Sequence, residues 1–488
     1  MRSRDGKIEV IRQAAMRILH LVRETVCARV DVALRVAVVI MATVLAAVLP
    51  AGVSAYEPEP GQWYLDSHRG VVLRFPLADI PFNYADGYSF PSMNQSLYLA
   101  KDSAQAAHSA VSYFLRPEGK WFEFFGLVAF DIVFTYLPGG SAWLHEEWHR
   151  AVMTNRRVAS FDDVYRFDLF AESIAVSHVK DSDLARLKKE HPADFVRLSA
   201  AGNEAEIELI TLMRRDSFFE RRTLRLDSFY WWLNLINCWY YVYTCGTRDA
   251  DTFTDKMNRQ DGTSVSRRDF TGLDFTAWVY DLFRPNEAYA ARGMHPSGVG
   301  IDRYIRFSDL SPEEKKYLRL QGRLALLNFV SPQLVGVPVM RASDPFTGES
   351  FMWNFAAAHH LTPWGYSIDA NLFWMRSADK FHVTAHAYAN RRGAMPGLHA
   401  AMVRRPVELA GRRVFLNAVV GAWIQPEDQM FRGARSAPGG ECIQGLDVPV
   451  TGRLETYVEC GAKSPGWVAG NVSLERDVQL RAGVNYIL

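Results

Sequence analysis

The chain has 488 residues, which is long for one ordinary domain and favours two. Apolar residues make up 49% of the chain and aromatic residues 13%, so sizeable hydrophobic cores can be buried. The formal net charge of +1 excludes the concentrated basic face that a nucleic-acid-binding protein needs.

The first 55 residues are organised like a secretory signal peptide. A basic region ending at Arg35 precedes an apolar run from Val36 to Leu49, and Val53-Ser54-Ala55 places small residues at the expected cleavage position. The apolar run is short for a membrane-spanning helix, which favours cleavage over an uncleaved anchor. We therefore expect residues 1–55 to be a signal peptide and the protein to be exported.

Residues 56–345 are predicted to form a mainly helical domain. It begins with loops, a strand at Gly70–Phe75 and a helix near Ser103–Leu115. The stretch Ser228–Cys245 has no charged residue over 18 positions and is rich in Trp and Tyr. Since it lacks the Leu, Ile and Val content of a lipid-facing helix, we interpret it as a buried helix.

Residues 346–488 are predicted to form an antiparallel β-meander, because the hydrophobic period changes from helical to two after Gly348. Gly, Asp and Pro residues mark the turns between successive runs. We expect about eight strands, among them Val414–Ile424, Leu454–Cys460, Val468–Leu474 and Val478–Leu488. The fold class is therefore α+β.

The last predicted strand favours an outer-membrane barrel of approximately eight strands. Apolar residues from Val478 to Tyr486 alternate with polar ones, and the chain ends on this strand with an aromatic residue two before the terminus. This resembles the C-terminal assembly signal of bacterial outer-membrane proteins, although Leu488 replaces their usual Phe. A soluble barrel or sandwich is the alternative. We expect membrane association, with the outer membrane favoured and the periplasm as the alternative.

Four cysteines remain after removal of the signal peptide. An even number in an exported chain predicts disulfides, and the closeness in sequence favours Cys238–Cys245 and Cys442–Cys460. Buried free thiols are the alternative.

The sequence His145-Glu146-Glu147-Trp148-His149 is the strongest chemical signal of the chain. On a helix that begins after Pro138-Gly139-Gly140, the two imidazoles leave one face a turn apart and can bind one Zn²⁺. Glu146 follows the first histidine, where it can take a proton from water that attacks a carbonyl. The motif therefore predicts a zinc hydrolase with Glu146 as the general base.

A third Zn²⁺ ligand is expected from the predicted helix that starts near Gly202. Glu204 and Glu208 share one face of this helix, so Glu204 can bind the metal while Glu208 accepts a hydrogen bond from a ligand imidazole. Glu206 is the reserve ligand if the helix is turned. His178 and His191 are further alternatives, and a solvated helix face is the plain alternative for the glutamates.

These residues resemble the gluzincin metallopeptidases, and Asn203-Glu204 is similar to the Asn-Glu pair of the thermolysin-type branch. The resemblance implies a zincin-like catalytic half with the two motif histidines and Glu204 as Zn²⁺ ligands and Glu146 as base. It covers only the two site helices, under a fifth of the chain. Glu208 stands where these families usually carry Asp, and Glu204 lies 55 residues beyond His149, a longer gap than in thermolysin-like enzymes.

The sequence thus predicts an exported zinc metallopeptidase whose substrate is a peptide or protein of the cell envelope. The first alternative is a non-enzymatic outer-membrane β-barrel, acting in transport or assembly, with the helical half as plug or platform. The second is a zinc hydrolase that acts on a lipid or cell-wall amide.

Overall fold

A computed structural model of the chain describes residues 54–55, 72–84, 91–166, 174–345 and 347–488. The expected signal peptide lies outside these residues, apart from Ser54 and Ala55, which form a two-residue strand. Within the described part the fold is α+β, as expected, with helices up to Leu324 and an antiparallel sheet built mostly from residues after Met340.

Ten α-helices lie between Met93 and Leu324 of the described chain. The first and the last of them begin at capping boxes, formed by Ser92 and Ser311. In chain order, α1 to α10 are Met93–Leu115, Lys120–Phe134, Ser141–Asn155, Asp181–Glu190, Pro192–Leu198, Ala201–Phe219, Leu224–Cys245, Asp249–Asp261, Asp274–Phe283 and Pro312–Leu324.

No helix among the described residues is both long enough and apolar enough to cross a membrane.

The strands alternate between buried and exposed positions, as the period of two in the sequence predicts. The main sheet consists of β1 Ser54–Ala55, β2 Val72–Ile80, β5 Met340–Ser343, β6 Ser350–Thr362, β7 Gly365–Arg376, β8 Asp379–Ala389, β9 Ala394–Leu409, β10 Arg412–Pro426, β11 Ser436–Pro449, β12 Leu454–Lys463 and β13 Asp477–Ile487. A separate two-stranded sheet pairs β3 Phe161–Asp162 with β4 Val176–Ser177.

The main sheet has the order β1-β5-β6-β7-β8-β9-β10-β11-β12-β13-β2, so β5 to β13 form the expected meander. Two strands from before the helices extend it, because β1 pairs with β5 and β2 pairs with β13. Among the described residues no ladder joins β2 to β1 or β5. The expectation of a closed barrel of about eight strands is therefore wrong for this part of the chain, which forms an open sheet of eleven strands.

Helices pack on both faces of the first long strands, because α6 contacts the His360 side of β6 and Gln321 of α10 contacts His359 on its other side. Helix α1 packs against β2, and α6 packs against β6 and β7. Helix α3 crosses α6 inside the largest hydrophobic cluster, where Trp148, Ala151 and Val152 are fully buried. This arrangement places the predicted metal-binding helix in the core of the helical part, next to the helix that was expected to supply the third ligand.

Two strand predictions need correction. The expected strand Val468–Leu474 is part of the connection between β12 and β13, where Trp467 and Leu474 fill a hydrophobic corner against Trp364. Apolar side chains of this loop imitate the alternation of a strand. The long strand β11 was not expected, because Pro438-Gly439-Gly440 interrupts its pattern as a turn would.

The expected disulfides are also wrong, because all four described cysteines are free. Cys238 and Cys245 are seven residues apart on α7, a rise of about 10 Å, which no disulfide can bridge. Cys442 on β11 pairs in register with Ala462, and Cys460 pairs with Gln444. Cys442 and Cys460 are therefore diagonal neighbours on adjacent strands. Their Cα atoms are roughly 7–8 Å apart, which is beyond the usual range for a disulfide.

Candidate metal centre

His145 and His149 lie on one face of α3, one turn apart, with ring centroids separated by 4.8 Å. The helix begins at Ser141, directly after the Gly-Gly stop, and its neighbours bury it on nearly all sides. His149 is 1% exposed and His145 is 8% exposed. Both imidazoles are therefore held in the core, at the positions that the motif predicts.

The third member of the cluster is Asp274, the first residue of α9. Its Oδ2 lies 3.0 Å from Nε2 of His145 and 3.4 Å from Nε2 of His149. One ligand atom from each of the three buried residues lies within 4.8 Å of the others. Burial raises the pKa of Asp274, but the two imidazoles outweigh burial and lower this pKa to about 2. Asp274 is therefore an ionised carboxylate at neutral pH.

The other nitrogen of each imidazole has its own partner. Nδ1 of His149 lies 2.5 Å from the carbonyl oxygen of Leu198, so it is the protonated nitrogen and donates to that oxygen. Nδ1 of His145 lies 3.5 Å from Oε1 of Glu206. The thiol of Cys238 donates to the other oxygen of the same carboxylate. These contacts direct both Nε2 atoms toward Asp274.

Two neighbouring carboxylates stabilise the protonated form of His145. Burial lowers the pKa of His145, but the carboxylates of Glu206 and Asp274 outweigh burial and hold this pKa well above its usual value. The backbone N–H of Asp274 donates to the hydroxyl oxygen of Tyr241 at 3.0 Å. This contact places the Tyr241 hydroxyl beside the cluster.

Gly202 allows α6 to approach the cluster closely. A Cβ at this position would lie 2.2 Å from both Cδ2 and Nε2 of His145. Because such a distance is far below van der Waals contact, any other residue at 202 must displace the imidazole or the helix.

Glu146 follows His145 on α3 and is half-buried. Burial and the nearby carboxylates of Asp269, Asp162 and Asp274 raise the pKa of Glu146 well above its usual value, although His145 opposes them. Glu147, by contrast, points into the core and accepts a hydrogen bond from Arg150. Of the two glutamates of the motif, Glu147 is held in the core and Glu146 is the less buried one.

The structure does not bring Glu204 to the two imidazoles. Its carboxylate is fully buried, and it accepts hydrogen bonds from Arg197 at 2.7 and 3.3 Å. It also accepts from the indole N–H of Trp467 at 3.2 Å and from the backbone N–H of Gly470 at 3.1 Å. Both oxygens of Glu204 are thus occupied away from the motif, and the structure groups Asp274, not Glu204, with the two imidazoles.

Glu206, and not Glu208, lies beside an imidazole of the cluster. Glu208 lies 3.5 Å from Nε2 of His360, which belongs to β6 and not to the cluster. Glu206 instead faces a cluster imidazole, in the supporting position expected for Glu208. The physical reason is the rotation of α6: Gly202 and Glu206, four residues apart, form the face toward α3, while Glu204 and Glu208 face the sheet.

The two alternative histidines lie elsewhere. His178 follows β4, and its ring contacts Ser177 and Phe161. His191 lies between α4 and α5. Neither belongs to the cluster of His145, His149 and Asp274.

Sequence reasoning missed Asp274, which lies 125 residues after His149. A local signal exists, because Thr271-Gly272-Leu273 precedes a mostly apolar helix whose first residue is Asp274. Nothing in the sequence links that helix start to the HEEWH helix, and only the tertiary packing brings them together.

The cluster fits a Zn²⁺ ion by its chemistry and spacing. Two imidazole nitrogens and one carboxylate are a common ligand set for catalytic zinc, with a fourth position left open. Ligand atoms 2.0–2.1 Å from a tetrahedral ion lie about 3.3 Å from one another. The two distances to Asp274 are 3.0 and 3.4 Å, and all three ligand atoms lie within 4.8 Å of one another. Nε2 of His149 is moreover buried without a hydrogen-bond partner among the described residues.

Comparison of the chain with models of protein families, with curated proteins and with solved structures finds no match in any of the three. The geometry of the cluster is therefore what supports a function.

Proposed function

We propose that this chain is a zinc-dependent hydrolase that cleaves peptide bonds in proteins of the cell envelope. The observation that carries the proposal is the convergence of His145, His149 and Asp274 beside the glutamate that follows the first histidine. The gluzincin-like motif supports the same reaction class. The expected peptidase activity thus keeps the two motif histidines and Glu146, but replaces Glu204 by Asp274.

His145, His149 and Asp274 are the residues that would hold Zn²⁺. When bound, the ion supplies Lewis-acid chemistry, which polarises a substrate carbonyl and makes water a stronger acid. The Leu198 carbonyl and the Glu206 carboxylate keep the protons of the two imidazoles on Nδ1, so that both Nε2 lone pairs remain available.

Glu146 moves the proton in this mechanism. Its carboxylate takes a proton from the attacking water and returns it to the departing amine of the cleaved bond.

The test compares Glu146→Gln with the unchanged chain. The variant should keep a stoichiometric amount of zinc, measured by atomic absorption, while hydrolysis of an unfolded protein substrate falls by about 10²–10⁴-fold. Glu190→Gln is the matched control, since this exposed glutamate ends α4 far from the cluster in sequence, and it should leave both quantities unchanged. Full hydrolysis by Glu146→Gln would reject the mechanism.

The substrate panel includes a lipid amide and a cell-wall muropeptide beside the protein, because the same residues can attack any of these carbonyls. Hydrolysis of one of those alone would keep the hydrolase and reject the peptidase. Absence of zinc and of all hydrolysis would favour the non-enzymatic alternative, in which the helical part is a platform.

A further inference from the structure

Strands β10 to β13 and β2 expose apolar side chains on one face and bury polar side chains on the other. On β13 the buried positions include Gln479, Arg481 and Asn485, whereas Val478 is 69% and Leu480 is 45% exposed. A water-soluble sheet with one covered face packs its apolar side chains on the core and turns its polar ones to solvent. Strands β10 to β13 of this sheet do the reverse.

The inner face holds its charged side chains in ion pairs that cross several strands. Arg74 on β2 contacts Glu459 on β12 at 2.8 Å, and Arg404 on β9 contacts Glu455 on β12 at 2.7 Å. A flat sheet would separate β9 from β12 by about 14 Å. The sheet therefore curves around its polar inner face, and its outer face is convex.

Between its turns, the outer face of β10 to β13 is a band without charged side chains, and it ends beside the exposed ion pair of Arg405 on β9 with Asp379 on β8. One cross-strand row consists of Ala400, Val420, Cys442, Ala462 and Val478 on five successive strands. The outward positions of residues 416–424, 454–462 and 478–486 include no Asp, Glu, Lys or Arg. Nine residues of a strand extend over about 27 Å, close to the roughly 30 Å of a bilayer's hydrocarbon layer.

Charged residues mark both ends of this band. Arg412, Arg413 and Arg453 are exposed at the turns of one end, while Arg432 and Arg435 are exposed in the connection at the other. An uncharged band with basic residues beyond it at each end is what a surface in contact with lipid requires.

Helix α2 shows the same inversion independently. Glu123 and Asp131 on this helix are buried, at 2% and 0% exposure, and bind Ser112 and His108 on α1. The opposite side of α2 exposes mostly aromatic side chains: Trp121, Phe122, Phe124, Phe125, Ile132 and Val133.

We propose that the outer face of β10 to β13 and β2, here called the apolar belt, contacts the hydrocarbon of a lipid bilayer. A protein partner would need a concave surface to match this convex face, whereas fluid acyl chains adapt to it. No charged side chain of the belt has to leave water. The proposal is independent of the hydrolase site, which lies among the helices.

The native thiols Cys442 and Cys460 allow a direct test, because both are exposed and lie in the belt. A chain with Cys27→Ser and Cys460→Ser is labelled at Cys442 with an environment-sensitive fluorophore. Cys238 and Cys245 are buried, and burial raises the pKa of both thiols, so they do not react in the folded protein. The labelled chain is then mixed with phosphatidylcholine vesicles whose acyl chains carry bromine.

We expect bromine to quench at least half of the fluorescence at Cys442, and little at a matched label on Thr451→Cys in the turn after β11. Equal fluorescence at Cys442 with brominated and ordinary lipid would overturn the proposal. So would a belt that becomes buried by self-association in lipid-free buffer and is not quenched by lipid.

A second variant keeps the test independent of labelling. Val420→Lys places a charge in the belt at a residue that is 59% exposed, so water can solvate it in the free protein. Vesicle binding measured by flotation should fall at least tenfold, because a lysine on a lipid-facing strand is costly. Thr451→Lys should bind as the unchanged chain does. Undiminished flotation of Val420→Lys would count against the belt.

Discussion

Two buried carboxylates, Asp274 and Glu204, differ in the groups that surround them. Asp274 has two imidazole nitrogens within 3.4 Å, whereas Glu204 has the guanidinium of Arg197 and two N–H donors. The first arrangement leaves room for a cation at the carboxylate, and the second fills every position around it. This contrast gives the sharpest test of the site at the scale of single residues.

Asp274→Asn should abolish stoichiometric zinc binding, because a neutral amide replaces the ionised ligand. Glu204→Gln should keep the zinc but lower the free energy of unfolding by about 3–5 kcal/mol, the usual cost of breaking a buried ion pair. Atomic absorption and urea unfolding distinguish the two effects. Loss of zinc in Glu204→Gln, with retention in Asp274→Asn, would restore the ligand set that the sequence predicted.

Gly202→Ala should weaken both zinc binding and the fold, because its Cβ would overlap the imidazole of His145. Overpacking of this kind costs about 1–3 kcal/mol. Gly452→Ala is the matched control, as its Cβ would meet nothing within 4 Å. Calorimetric zinc titration and thermal unfolding of both variants provide the measurement, and equal behaviour of the two would show that the close approach has no consequence.

At the scale of elements, a single histidine connects three helices. His108 on α1 contacts Asp131 of α2 at 2.6 Å and Asp227 of α7 at 2.8 Å, and all three side chains are fully buried. Burial lowers the pKa of His108, but the two carboxylates outweigh burial and raise it to about 9. Helix α2 thus stays in place through polar contacts while its aromatic side faces outward.

The raised pKa of His108 predicts a pH-dependent stability. The folded value of about 9 lies above the ordinary 6.5, so protonation stabilises the fold fully below pH 6.5. This contribution, about 3 kcal/mol, is lost as the pH rises from 6.5 through 9. Urea unfolding at pH 6 and at pH 9.5 should show this loss in the unchanged chain and a much smaller one in His108→Gln. The same decrease in both chains would assign the pH dependence to other groups.

At the scale of the whole molecule, the helical part and the sheet share buried polar contacts. Trp467, in the connection between β12 and β13, donates to Glu204 on α6, and Trp278 on α9 donates to the carbonyl oxygen of Thr362 on β6. Since these donors and acceptors are buried, separation of the two parts would leave them without partners. We therefore expect helices and sheet to unfold together.

Trp467→Phe removes one of these hydrogen bonds and leaves Glu204 with one donor fewer, which should cost about 1–3 kcal/mol. Helix ellipticity at 222 nm and the emission of a label on Cys442 of the sheet should move to lower urea concentration together. Trp121→Phe, at an exposed indole of α2, should move neither signal. A shift of the ellipticity alone would mean that the helices unfold as a separate unit.

Local patterns determined much of this protein. The HEEWH helix, the order of the meander and the alternating faces of β13 follow from periods of 3.6 and 2 and from turn residues, which act over a few positions. For the same reason the sequence predicted that His145 and His149 lie one turn apart on one helix face. The prediction failed at Val468–Leu474, where a loop has the alternation of a strand. It also failed at β11, where Pro and Gly residues interrupt the alternation of a real strand.

Only the tertiary structure decided the third residue of the cluster, the rotation of α6 and the openness of the described sheet. Glu204, Glu206 and Glu208 are equivalent in sequence, and the packing of Gly202 against His145 selects Glu206 as the one that faces the site. Asp274 comes from a helix far along the chain. Contacts between distant segments depend on how whole elements pack, and no pattern within one element records them.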